Sequence, residues 1–221
     1  MSKVTCLYED NHLIAVLKPA GIPVQGDETG DPCLLDEVKN FLKEKYQKPG
    51  NVFVGLLHRL DRPVTGIILF AKTSKGASRL SEQFRNHEVK KIYHAYVLGK
   101  PPKKSDTLIH YLKKDHEKNK VTAYEKQVPD SQYAELSYEV VPSKSQVTCH
   151  MLQVTLKTGR SHQIRVQLSK IGCPILGDLK YGAPSPLPDK SIALCATHLS
   201  FRTATTGEQI ELAIDMPKIP G

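Results

Sequence analysis

The sequence predicts an α+β fold, a mixed and mainly antiparallel β-sheet flanked by helices and loops. Three observations lead there. Short apolar or alternating runs recur along the whole chain, as strands do. Only three or four stretches carry apolar residues at helical spacing. Regular strand–helix–strand alternation, the mark of a parallel sheet, is sparse.

The elements follow in order. Leu13 to Leu17 is an apolar strand, broken by Lys18-Pro19-Ala20-Gly21-Ile22-Pro23, where two prolines and a glycine enforce extended or turn geometry. Lys18 stands at that strand's end, where its charge would face either a cleft or bulk water. Asp31-Pro32 opens a helix, with Asp31 as cap, and Leu34, Leu35, Val38, Phe41, Leu42 and Tyr46 form its stripe. Pro49-Gly50 ends it. Ile67 to Lys72 is a buried strand, and Ser74 caps a second helix with Ala77, Leu80 and Phe84 inward. Lys90 to Gly99 is a strand that sets Tyr93, Ala95 and Val97 on one face.

Residues 101–120 are the most basic stretch, with Lys103, Lys104, Lys113, Lys114, Lys118 and Lys120, and read as loops around a short strand from Thr107 to Leu112. Such a finger suits a phosphate backbone, although lysines also protect a bare sheet edge. Ala134–Val141 and Met151–Lys157 are strands. Thr158-Gly159-Arg160 turns the chain into a helix from His162 to Lys170, capped by Ser161 and stopped by Gly172. Arg160, His162 and Arg165 crowd its start, which calls for an anion or a carboxylate there. Pro174 to Gly182 is a glycine-punctuated loop, residues 183–190 are a surface connection, and Ile192–Phe201 and Gln209–Ile214 form a hairpin.

Composition narrows the function. The 221 residues carry a net charge of +8, which points to a polyanionic partner such as nucleic acid. No apolar run reaches the eighteen residues of a membrane span, and the start lacks the apolar segment of a secretory signal. The five cysteines are widely and irregularly spaced without a CxxC pair, so neither a zinc site nor a disulfide framework is indicated, and reduced thiols in a cytoplasmic protein are expected. No composition shift marks a linker, so residues 1–221 are expected to form one domain.

The densest chemistry lies in His58-Arg59-Leu60-Asp61-Arg62-Pro63-Val64-Thr65-Gly66, at the mouth of the strand from Ile67. A carboxylate between two arginines at a buried strand is costly unless it is paired. Two readings stand: an ion pair that pins a turn, or an ionised carboxylate that acts on a substrate.

Four stretches together resemble the RluA/RluD-type RNA pseudouridine synthases. They are Leu17-Lys18-Pro19-Ala20-Gly21-Ile22-Pro23-Val24; His58-Arg59-Leu60-Asp61 with Thr65-Gly66; Lys91-Ile92-Tyr93-His94-Ala95-Tyr96-Val97-Leu98-Gly99; and Thr158-Gly159-Arg160-Ser161-His162-Gln163-Ile164-Arg165-Val166 continuing to Ile175-Leu176-Gly177-Asp178 and Tyr181-Gly182. Their order and separation match as well. The departures are Val64 and Pro63, where the family usually has polar residues.

The resemblance implies a pseudouridine synthase fold with a central catalytic cleft, without the accessory RNA-binding domain that many relatives carry in front. It implies isomerisation of uridine in transfer RNA, ribosomal RNA or both, with no cofactor and no metal. Asp61 is the implied catalytic aspartate. Arg165 is implied to pair with it, and Tyr93 to stack on the target base. Arg59 is implied to fill the space the base vacates. Lys18, Arg160, His162, Lys113 and Lys114 are expected to hold phosphates, and a monomer is expected. Two other classes compete. A catalytically inactive RNA-binding module of this fold predicts loss of one of Asp61, Tyr93 and Arg165, and all three are present. An aspartate-nucleophile hydrolase needs a second carboxylate, for which Asp178 is the candidate, or a metal cluster, for which no ligand spacing exists.

Overall fold

Residues 4–28, 30–142 and 149–219 are described here from a computed structural model. The chain divides into two compact units whose sequences interleave. The first takes residues 1–90 and 196–214, and the second takes residues 91–195 and 215–221. Because each is built from separated segments, no compositional linker marks the boundary.

In the first unit, β1 (Thr5–Glu9) pairs with β2 (Leu13–Lys18), and β2 pairs with β4 (Thr65–Ala71), both antiparallel. The short β3 (Gly55–Leu56) also pairs with β4. On the other side of β4 lies β10 (Leu194–Arg202), which pairs with β11 (Gln209–Ala213). Leu13 to Val16 and Ile67 to Ala71 are buried on both faces, which is why these strands read as continuous apolar runs. Leu13, Ala15, Ile67 and Leu69 join Leu199 and Phe201 of β10 in one core, closed by Leu80 of helix α2 (Ser74–Arg85).

Two helix starts differ from expectation. Helix α1 (Leu34–Lys45) begins two residues after Pro32, and Asp31 does not cap it. The backbone carbonyls of Pro23 and Val24 accept the N–H groups of Leu34 and Leu35 at 2.9 Å each, so no side-chain cap is needed there. Thr73, not Ser74, caps α2, its hydroxyl accepting the Gly76 N–H at 3.1 Å.

The second unit is a five-stranded sheet in the order β5 (Lys90–Val97), β9 (His150–Leu156), β8 (Gln132–Val141), β6 (Ser105–Asp115) and β7 (Lys120–Tyr124), with every neighbouring pair antiparallel. Helix α3 (Gln163–Lys170) lays Val166 against Leu112, Val121, Ala123 and Ala134. Six consecutive residues of α3, Gln163 to Leu168, are buried, so its covered surface is wider than the stripe of Ile164, Leu168 and Ile171 suggests.

The basic finger is a correction. Residues 105–115 are one long strand and 120–124 another, so the stretch is a regular hairpin whose turn spans only 116–119. Leu108, His110 and Leu112 alternate inward, with the buried His110 Nδ1 2.9 Å from Gln167 Nε2. Prolines at its start and lysines at its end conceal that alternation in the sequence.

Candidate active site

The turn that carries Asp61 is built around a buried ammonium. Lys18, the last residue of β2, lies opposite Gly66 of β4 and is 0% exposed. Its Nζ donates to three backbone carbonyls, Pro19 at 3.0 Å, Arg62 at 3.0 Å and Val64 at 2.7 Å. The Arg62 carbonyl also accepts the Gly21 N–H at 2.8 Å, and the Val64 N–H closes the turn onto the Asp61 carbonyl at 3.0 Å. Lys18 therefore staples the Lys18-Pro19-Ala20-Gly21 segment to residues 61–64. Burial lowers its pKa to about 8, against the opposing pull of the Asp61 charge, so it stays largely protonated at neutral pH. An ammonium with three carbonyl partners and no exposed surface is not placed to hold a phosphate, which corrects that expectation.

The rest of the motif has equally local reasons. His58 Nε2 accepts the Leu69 N–H at 3.0 Å, and its ring stacks on Phe84 at 5.0 Å, so this histidine anchors the loop to β4 and α2. Gly66 has φ +138, and a Cβ there would lie 2.4 Å from the Ala196 nitrogen of β10. Arg62 turns to Asp31 at 2.6 Å and Asp27 at 2.9 Å. Asp31 is thus taken up by an ion pair, the second reason it does not cap α1. Leu60 is buried, Arg59 is exposed, and Asp61 between them is half-buried.

In the second unit, Tyr93 of β5 is buried and lies opposite Val154 of β9. Arg165 of α3 forms a two-pronged pair with Asp178, Nε to Oδ2 at 2.7 Å and Nη2 to Oδ1 at 2.8 Å. Both side chains are buried, so this pair is shielded from solvent and geometrically defined. The Tyr181 ring lies 5.0 Å from the guanidinium carbon, within cation–π range. Asp178 precedes the 3-10 turn Leu179–Tyr181, and Tyr181 ends it. The sequence reading considered Asp178 only as a second carboxylate for a hydrolase and assigned Tyr181 no role. The glycines that bracket them, Gly177 and Gly182, were the available signal.

The start of α3 also has a different cap from the one expected. His162, in the left-handed region at φ +52, is the N-cap, and Ser161 does not serve. Gln163 organises the turn instead. Its Oε1 accepts the Arg160 N–H at 3.0 Å and the Thr158 hydroxyl at 2.8 Å, and its Nε2 donates to the Glu135 carbonyl at 3.1 Å. His162 Nδ1 meets the Tyr181 hydroxyl at 2.8 Å. Arg160 is exposed and donates from Nε to the Tyr133 carbonyl at 3.1 Å. On the hairpin, Lys113 pairs with Asp130 at 3.6 Å and Lys114 is exposed.

Among the described residues, no group of three or more His, Cys, Asp or Glu is placed to hold a metal ion, and no helix is long and apolar enough to cross a membrane. Cys33, Cys173 and Cys195 are buried and all five cysteines are unbridged.

Comparison with known proteins agrees with these motifs. Residues 12–170 match the family described as RNA pseudouridylate synthase. A Chlorobaculum parvum protein named as an uncharacterized RNA pseudouridine synthase is 34% identical, over 97% of this chain and 71% of its own length. A ribosomal large subunit pseudouridine synthase D of Nitrosomonas europaea is also 34% identical, over 85% of this chain and 52% of its own. Among solved structures, human RNA pseudouridylate synthase domain containing 4 superposes with a TM-score of 0.78 at 25% identity, covering 97% of this chain and 89% of that one. The fold is therefore that of pseudouridylate synthase domains, and the chain belongs to the RNA pseudouridylate synthase family of isomerases.

Proposed function

We propose that this enzyme converts uridine to pseudouridine in ribosomal RNA, transfer RNA or both, with Asp61 as its catalytic carboxylate and residues 1–221 acting as one catalytic domain. The observation that carries the assignment is the stapled turn. Lys18 fixes the carbonyls of Arg62 and Val64 just after Asp61, so the half-buried Asp61 is presented from a held turn while its neighbour Arg62 is drawn off to Asp27 and Asp31. The ribosomal names of several relatives favour ribosomal RNA.

The reaction balances within the substrate. The C1′–N1 bond breaks, the uracil turns, and a C1′–C5 bond forms. The C5 proton leaves, and N1 takes one up. An ionised Asp61 serves as nucleophile, as base, or as the charge that stabilises a sugar cation. In this reading Arg165 is a catalytic residue by its place in the family motif, and Asp178 holds Arg165 in plane. Tyr93 stacks on the flipped base and assists proton removal from C5. The exposed Arg59 fills the gap in the RNA, its planar guanidinium suited to stacking between bases. Arg160, His162, Lys113 and Lys114 meet phosphates. The enzyme works as a cytoplasmic monomer.

The test is Asp61→Asn and Asp61→Ala, assayed on ribosomal and transfer RNA transcripts, with circular dichroism and RNA binding measured alongside. Both variants are expected to bind RNA, keep the native fold and form no pseudouridine. Substantial turnover by either refutes the assignment.

A further inference from the structure

One side chain, Tyr181, touches both the basic hairpin and Arg165. We propose that Tyr181 is a positioning residue that ties the β6–β7 hairpin to Arg165, so that the hairpin's hold on RNA and the placement of that arginine are set together. The inference rests on the role given to Arg165 above.

β7 is the outermost strand of the second unit's sheet, so its outward N–H groups have no strand to pair with. One of them, at Val121, donates to the Tyr181 hydroxyl at 2.9 Å. One residue earlier, Lys180 Nζ donates to the Asn119 carbonyl in the hairpin's turn at 3.0 Å. The turn 179–181 thus grips the hairpin at two points. It is gripped in turn by α3, whose Ser169 hydroxyl donates to the Tyr181 carbonyl at 2.6 Å.

The same tyrosine supports the arginine. Its ring lies beneath the guanidinium, while Asp178, three residues earlier on the same turn, holds the guanidinium edge. The phenol has one proton and two lone pairs. It accepts from Val121 and, with His162 as the Nε2–H tautomer, donates to His162 Nδ1. That arrangement uses its proton and one lone pair and ties the hydroxyl to both the hairpin and the start of α3. A displaced hairpin moves the hydroxyl, and the ring moves with it. Lys113, Lys118 and Lys120 lie on this hairpin near Val121, so a phosphate gripped there loads the link directly.

Tyr181→Phe keeps the ring and removes only the hydroxyl. The expected result is faster hydrogen exchange at the Val121 amide, by about tenfold for the loss of one hydrogen bond. The single-turnover rate at saturating RNA should fall by about three- to tenfold in a protein that still unfolds cooperatively. A purely structural tyrosine lowers the melting temperature but leaves that saturating rate alone. In the Lys118→Ala background, whose hairpin grips RNA less well, the Tyr181→Phe effect on rate should shrink. Arg165→Ala is measured in parallel. If it is inactive while Tyr181→Phe turns over like wild type at saturation, the link is overturned and the role of Arg165 stands. If Arg165→Ala is itself fully active, the reading of Arg165 falls and this inference falls with it.

Discussion

Replacing Lys18 by Met tests whether a buried ammonium holds the Asp61 turn. The unbranched Met side chain suits the space without its charge or donors. The substitution withdraws three hydrogen bonds at once, to the carbonyls of Pro19, Arg62 and Val64. The Arg62 carbonyl keeps the Gly21 N–H, whereas the other two lose this donor. At about 1–2 kcal/mol for each of the two buried carbonyls so deprived, the expected loss near neutral pH is about 2–4 kcal/mol. For a chain of this size that is a fall in melting temperature of about 5–15 °C. The sharper measurement is its pH dependence. Lys18 releases its proton near pH 8 in the fold, because burial disfavours the charge more than Asp61 favours it, while the unfolded chain keeps that proton up to about pH 10.5. Between those values the unfolded state binds more protons, so this group makes the wild type more stable as pH rises, by roughly 3 kcal/mol in total. Lys18→Met lacks the effect. Urea titrations from pH 7 to 10.5 should therefore show the gap between the two proteins widening with pH. A gap that narrows would mean that the fold raises the Lys18 pKa, making Lys18 and Asp61 a conventional ion pair. The stapled-turn account would then be wrong.

Other perturbations follow from single contacts. Gly66→Ala drives a Cβ to 2.4 Å from the Ala196 nitrogen at a φ of +138, and should cost at least about 3 kcal/mol in chemical denaturation or yield insoluble protein. At Glu9, burial would raise the carboxyl pKa, but hydrogen bonds from Lys45, Lys72 and Tyr46 outweigh it and hold the value at about 2. Its contribution is complete above pH 4.5 and is lost as pH falls through 2. The advantage of wild type over Glu9→Gln, about 1–2 kcal/mol after solvent screening, should shrink across that window in acid titrations.

Much of this was legible in the sequence, and what was missed has physical reasons. The strands at Leu13 and Ile67 announce themselves because both faces are buried. Asp61, Tyr93 and Arg165 are visible because they stand in motifs that resemble the family's, in a turn, a strand and the first turn of a helix respectively. Lys18 misled because sequence shows a charge but not the three carbonyls folded around it. β1 was missed, with Cys6 exposed and a register shift near Tyr8 weakening its alternation. β7 was missed because only Val121 and Ala123 point inward, between lysines and threonine. Asp178 was weighed only as a hydrolase carboxylate and Tyr181 had no role, since their partners lie at Arg165, His162 and Val121 and become neighbours only through the 3-10 turn.

The interleaving of the two units also sets an order of events during synthesis. Residues 91–195 lie between the two pieces of the first unit. The chain therefore makes β2, β4 and α2 long before Leu199 and Phe201, which complete their core. Until then Leu13, Ile67 and Leu69 lack part of their packing, and the Gly66 backbone has no β10 to lie against. The second unit, by contrast, has its five strands and α3 in hand before β10 is finished. The half that carries Asp61 begins first, yet completes its core only after the five strands and α3 of the other half are made.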